Sequence, residues 1–328
     1  MRRRLPLVLL LLPLGSLAYG QSNVPLRLKS TILLPGVQGR IDHMSIDAQG
    51  ERLFLAALGN NTVEVIDLKQ GKRVYSIAGL HEPQGVLYLP ALKRLFVAGA
   101  DDGTVRMFDG SSYAEVRTTA LGSDADNIRY DAERRLIYVG YGSGGLAILR
   151  EDGTKSSNIP LDAHPESFQL EKNGSRIFVN LPDSRKIAVI DRTKGSVIAN
   201  WGTEGALANF PMALDEADHR LFVVCRAPAQ LLVLDTDSGR VIARLPAVGD
   251  CDDVFYDSTL KRIYASGGQG AISVFQKLDA DHYKEIARMA TIKGARTSFF
   301  SPDSRSLYLA VRRQDSEPAA IRVYATER

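Results

Sequence analysis

A stretch of 21 residues, DAQGERLFLAALGNNTVEVID from Asp47 to Asp67, recurs along the chain in seven variants. It reads as a polar turn, an apolar run (Leu53 to Ala57), a Gly/Asn turn (Gly59 to Asn61) and an alternating run at Val63, Val65 and Ile66 stopped by Asp67. Two short strands joined by a tight turn are what such a pattern specifies. The aromatic residue of the first strand returns at Phe54, Phe96, Tyr138, Phe178, Phe222, Tyr264 and Tyr308, at spacings of 42, 42, 40, 44, 42 and 44 residues. The partner strand follows each time, from VEVID at Val63 through VRMFD at Val105, LAILR at Leu146, IAVID at Ile187, LLVLD at Leu231 and ISVFQ at Ile272 to IRVYA at Ile321. Seven copies of an all-strand unit with a period near 42 residues predict an all-β fold, a seven-bladed β-propeller of four-stranded blades.

A length of 328 residues would by itself suggest two domains. The repeat overrides that reading, because a blade buries its faces against its neighbours and cannot fold alone. A single propeller domain is therefore expected over residues 21–328. Residues 25–35, PLRLKSTILLP, alternate like a strand ahead of the first repeat, whereas the last repeat ends at Tyr324 without a fourth strand. The N-terminal strand is expected to complete blade 7 and close the ring, leaving no open seam. Asp67 with Gly71, Asp191 with Gly195 and Asp235 with Gly239 mark the turns before the outer strands. There an Asp side chain accepts backbone N–H bonds and Gly takes a positive φ, so these aspartates are structural.

Residues 1–20 read as a secretory signal: Arg2, Arg3 and Arg4, an apolar core, then Ala18-Tyr19-Gly20 before an expected cut at Gln21. A periplasmic or secreted protein is the expectation, with no stable membrane span once the signal is removed. The signal also accounts for the formal net charge of +3: 41 basic residues less these three leave 38, against 38 acidic ones. A neutral mature chain offers no electrostatic footprint for nucleic acid, and a monomer is the expected state.

The phrases RLFLAALGNNTVEVID, KRLFVAGADDGTVRMFD and SRIFVNLPDSRKIAVID resemble the YVTN/YncE-like family of seven-bladed propellers. The resemblance covers nearly all of the mature chain. It implies an exported propeller, in a family whose relatives include lactonases and electron-transfer subunits.

In such a ring the inner strands start at one mouth of the central tunnel. Aligning the repeats on Asp47, Leu89, Asp131, Glu171, Asp215, Asp257 and Ser301 places seven tetrads there, beginning at Arg40, Glu82, Asp124, His164, Ala208, Asp250 and Gly294. These 28 positions hold eight carboxylates and two arginines, an excess of six negative charges. Asp42, Asp126, Glu166 and Asp252 share the third tetrad position, so they are candidate ligands for Ca²⁺ or another divalent cation, with His43 biasing the site toward a transition metal. Gln84, Asn127, Asp253 and Arg296 complete the candidate ligand-binding set, Arg296 as a holder of carboxylate or phosphate. The competing reading is that Asp and Asn at strand starts bond only to loop backbone.

Cys225 and Cys251 are the only cysteines, placed by the repeats on the same face of adjacent blades, and a disulfide between them is expected of an exported protein. The functional expectation is a small-molecule or protein ligand bound at the acidic tunnel mouth. The alternatives are a metal-assisted, lactonase-like hydrolase at the same site and an accessory subunit of a periplasmic redox or envelope complex.

Overall fold

A computed structural model describes residues 24–47 and 51–327. The expected leader, residues 1–20, lies outside them. The described strands form seven antiparallel four-stranded sheets, each built from sequence-adjacent strands except the last. Blade 1 comprises Met44–Ile46, Arg52–Ala57, Thr62–Asp67 and Lys72–Ile77, paired in that order. In the last sheet, Leu26–Leu34 pairs antiparallel with Ala319–Thr326, joining Leu26 to Thr326 and Leu34 to Ala319. The ring is closed by the N-terminal strand, as its alternation implies.

The core lies between blades, and strand alternation assigns each residue to one interface or the next. Along Arg52–Ala57, Leu53, Leu55 and Ala57 pack with Tyr308, Ala310 and Ile321 of blade 7. Phe54 and Ala56 face the other way, onto Val86, Tyr88, Leu95 and Val97 of blade 2. Both faces of a middle strand are therefore buried, and the second strand reads as a continuous apolar run for that reason. Each fully buried Leu, Ile or Phe contributes about 1.5–3 kcal/mol of transfer free energy.

The turns follow the expected chemistry. Asp67 accepts the Gln70 N–H at 2.7 Å, and Asp235 accepts those of Asp237 and Ser238 at 3.2 and 2.8 Å. Gly71, Gly195 and Gly239 take φ of 63°, 63° and 73°.

The expected disulfide is not formed: Cys225 and Cys251 are free and buried. Cys225 alternates with Phe222 and Val224, which places it in the layer against Phe178 and Ile187 of blade 4. Cys251 lies in the next layer, with Phe222, Val224 and Ile263, and its Sγ approaches the Asp253 carbonyl at 3.4 Å. The sheet of blade 5 separates the two thiols. The repeat alignment places both residues at one end of the barrel but is blind to which sheet face each side chain takes.

Closure of the ring rests on the inward residues of the N-terminal strand. Leu34→Ala is expected to lower stability in urea denaturation by about 2–5 kcal/mol. Its neighbour Leu33, 55% exposed, tolerates the same change within about 0.5 kcal/mol.

Candidate functional site

The tetrads do gather at one mouth, and their first and third positions have different tasks. The first position takes a left-handed backbone in five blades: Glu82 (φ 46°), Asp124 (40°), Ala208 (57°), Asp250 (53°) and Gly294 (82°). Aspartate tolerates that conformation better than most residues, which accounts for part of the acidic enrichment without any ligand. Asp124 also accepts from Gln84 Nε2 at 3.3 Å, and Asp250 from Arg296 at 2.7 Å. Gln84 is thereby placed as a partner of Asp124.

The third position points inward. Asp42 and Asp126 are buried, 3% and 4% exposed, and face His43 from two blades. His43 Nε2 lies 3.6 Å from Asp42 Oδ1 and 3.5 Å from Asp126 Oδ1, while its Nδ1 lies 3.9 Å from Asp253 Oδ1. These separations exceed a good N–H···O bond. Asp126 Oδ1 has no hydrogen-bond partner among the described residues. Asp126 Oδ2 accepts from Asn127 Nδ2 at 3.1 Å, Asp42 Oδ2 is held by Arg40 at 2.7 Å, and Asp253 Oδ2 accepts the Ser298 N–H at 2.8 Å.

Asp252 and Glu166 part company with this group. Asp252 is taken by two arginines, Arg226 and Arg296, the latter through Nε at 2.7 Å. Glu166 has no cation within 4 Å among the described residues, and it lines both the open mouth and the constriction below it. The side chains that could share a metal ion are thus Asp42, His43 and Asp126, whose ligand atoms all lie within 4.8 Å of one another. Of the four carboxylates expected to ligate, two belong to this group.

The mouth is less acidic than the tetrads alone suggest. Arg226, at the end of a second strand of blade 5, packs over the Phe210 ring at 3.8 Å and reaches Asp252. Arg312, in the blade 7 connection, lies close enough to Arg296 and Arg40 that burial and their charges push its pKa down. Neither lies in a tetrad. No repeat position marks them. The result is a cavity of about 410 Å³ lined by carboxylates of blades 2, 3, 4 and 6 and by Arg40, Arg226 and Arg296.

Burial and like charge set the protonation of this cluster. Burial would push the His43 imidazolium down, but Asp42, Asp126 and Asp253 outweigh it and raise its pKa to about 10. Glu166 is pushed up to about 8, by burial first and then by Asp126, Asp252 and Asp42. Burial likewise raises Asp253 to about 7, against the pull of His43. His81 and His164 stand apart. His81 faces Asp101 at 3.7 Å on the exposed rim, and His164 Nδ1 donates to the Gly142 carbonyl at 2.6 Å.

No protein-family profile matches the chain. Among curated proteins it is 25% identical over 169 residues to the uncharacterized protein YncE of Salmonella typhi, a segment that is 51% of this chain and 45% of that protein. The match to uncharacterized YncE of Salmonella typhimurium is 24% over 169 residues, with the same coverage. The chain spans about half the length of the curated relatives it matches. Among solved structures, a chain of Kuenenia stuttgartiensis hydrazine synthase superposes with a TM-score of 0.71 at 17% identity, over 84% of this chain and 95% of that one. A chain of the mitotic checkpoint complex gives 0.78 at 13% identity over 100% of both, and the WD40 repeats of RRP9 give 0.78 at 9% over 92% and 99%.

The protonation pattern has a measurable result in chelator-treated protein. Folded Glu166 and Asp253 keep protons that the unfolded chain releases, so stability falls as pH rises from the ordinary carboxyl range through about 7 and about 8. The His43 contribution is complete below 6.5 and is lost only as pH climbs through about 10. Melting curves of Glu166→Gln should lie above the parent at pH 8 and meet it below about pH 4.5. The chain is thus a seven-bladed propeller that resembles YncE over about half of its length.

Proposed function

We propose that the protein is an exported binding protein, active in the periplasm or outside the cell. Its tunnel mouth takes a small oxyanion-bearing ligand together with a divalent cation held by Asp42, His43 and Asp126. The observation that carries this reading is the spacing of that trio. Separations of 3.5 and 3.6 Å are long for hydrogen bonds. They are close to the separation of two ligands on one metal, since bonds of about 2.0–2.2 Å put neighbouring ligands about 3–3.5 Å apart. One imidazole and two carboxylates favour Zn²⁺ or Mn²⁺ over the Ca²⁺ expected from carboxylates alone. Arg226 and Arg296 line the same mouth, each already bound to Asp252, and their remaining N–H donors suit carboxylate or phosphate oxygens.

Metal must displace the His43 proton, so affinity rises with pH. The test is elemental analysis after incubation with Zn²⁺ or Mn²⁺ and dialysis, with melting curves in the presence and absence of chelator. Stoichiometric metal is expected, and ion at one hundred times its Kd stabilises by about 2.7 kcal/mol. Asp126→Asn should abolish the shift. Protein that holds no metal and melts identically with chelator would overturn the reading.

One observation favours a second reading, a lactonase-like hydrolase. Glu166 stands at the same constriction as the trio and is bound by no cation among the described residues, which suits a proton-transfer role beside a metal-polarised carbonyl. Turnover of a lactone panel, lost in Glu166→Gln while metal is retained, supports the hydrolase. A panel with no turnover leaves binding as the function.

A further inference from the structure

Below His43 the tunnel widens into a second cavity of about 430 Å³, distinct from the mouth in both its lining and its charge. Much of its wall is apolar, from Met44, Val86, Ile128, Met212, Val254 and Phe299. The residue two places beyond the tetrad contributes to this level in six of the seven blades, as Ser45, Leu87, Gln169, Phe255 and Phe299 in five of them. In blade 3 that residue is Arg129.

Arg129 is out of keeping with three of the guanidinium groups at the mouth. Arg40, Arg226 and Arg296 each pair with a carboxylate. Arg129 donates one hydrogen bond, 2.9 Å, to the carbonyl of its neighbour Ile128, and lies 5.5 Å from the centre of the Phe168 ring. No carboxylate among the described residues comes within 4 Å of it. Five N–H donors in a fixed fork, one of them used, leave a charge on the chamber wall with unfilled donor capacity.

The polar neighbours are occupied elsewhere. Gln169 Nε2 donates to the Met212 carbonyl at 2.9 Å, Ser45 Oγ accepts the Tyr88 N–H at 3.0 Å, and Ser298 Oγ accepts from Ser266 at 2.8 Å. Asp253, the carboxylate on this wall, directs one oxygen to the Ser298 N–H and the other toward His43. Burial pushes the Arg129 pKa down, with Asp253 and Asp126 only partly opposing, as befits a cation that lacks a close counterion.

We infer that this chamber is a binding site for a small organic monocarboxylate, its head on the Arg129 guanidinium and its hydrocarbon body against the apolar wall. One guanidinium matches one carboxylate in a two-bond fork. The single guanidinium of the wall leaves the second charge of a phosphate dianion unmatched. The volume falls within the range of small-molecule sites.

Isothermal titration calorimetry of the mature protein, in chelator to keep the mouth free of metal, tests the assignment with hexanoate and benzoate as probes. Hexanol and inorganic phosphate serve as controls for the apolar and the anionic half alone. Both acids should bind saturably, and each control at least about tenfold more weakly. Arg129→Met should weaken the acids by about tenfold or more, and Arg129→Lys should recover part of the loss. Without ligand, Arg129→Met should melt at or above the parent, because it removes a half-buried charge that no carboxylate partners. Failure of both acids to bind, or equal binding by Arg129→Met, would overturn the proposal. So would a variant at Arg129 that melts far below the parent, since the guanidinium would then be satisfied within the fold.

Discussion

Arginines that begin the second strands fasten one blade to the next. Arg52 Nη1 donates to the Gly110 carbonyl of blade 2 at 2.7 Å, and Arg220 Nε to the Ala280 carbonyl of blade 6 at 2.9 Å. Arg176 reaches the Thr236 carbonyl and Arg262 the Glu327 carbonyl in the same way. Three of them also hold a carboxylate of their own blade, Asp47, Glu171 and Asp235. The apolar layers between blades are non-directional and would tolerate sliding. A guanidinium with two fixed sets of acceptors does not, so it sets the height of each blade against its neighbour. Four of the seven blade junctions are held in this way.

Much of this was legible from residues alone. Phe54 and its six counterparts mark the second strands because a residue buried between two blades has to be large and apolar in every copy. Asp67 with Gly71 marks a turn because few other pairs satisfy its backbone. The arginine clasp was also written in the sequence, in RLF, RIF and RIY, but its partners lie 58 to 65 residues ahead and no local pattern connects them. The site divides along the same line. Asp42, His43 and Asp126 sit at repeat positions, so their convergence could be anticipated. Arg226 and Arg312 enter from a strand end and a connection that the repeat does not fix. The thiols of Cys225 and Cys251 were misplaced because position along a strand is a weaker constraint than the face a side chain takes.

The mouth concentrates several carboxylates in a space that excludes much of the water, a state that is unfavourable unless countercharge is built in. Here the countercharge comes in two forms. Arg40, Arg226 and Arg296 are permanent cations that bind Asp42, Asp250 and Asp252. His43 is a titratable one, and it stands where the mouth gives way to the chamber below, lining both the constriction and the lower cavity. A change in its charge alters the field on both sides of the constriction at once. Two compartments of opposite character, acidic above and with a lone guanidinium below, are therefore separated by a single imidazole.

The pairing of Leu26–Leu34 with Ala319–Thr326 also orders events in time. Arg27 and Glu327, whose side chains meet at 2.8 Å, are separated by 300 residues. Until the last strand exists, the first has no partner, and blades already formed end in two open sheet faces. Joining chain segments so far apart carries a loop-closure cost that contacts within a blade do not. The closing pair therefore carries the largest loop-closure cost of the ring. A chain emerging from a ribosome or threading a membrane would expose the apolar faces beside blades 1 and 7 for as long as its ends remain apart, and those faces are the natural point of attachment for anything that escorts it.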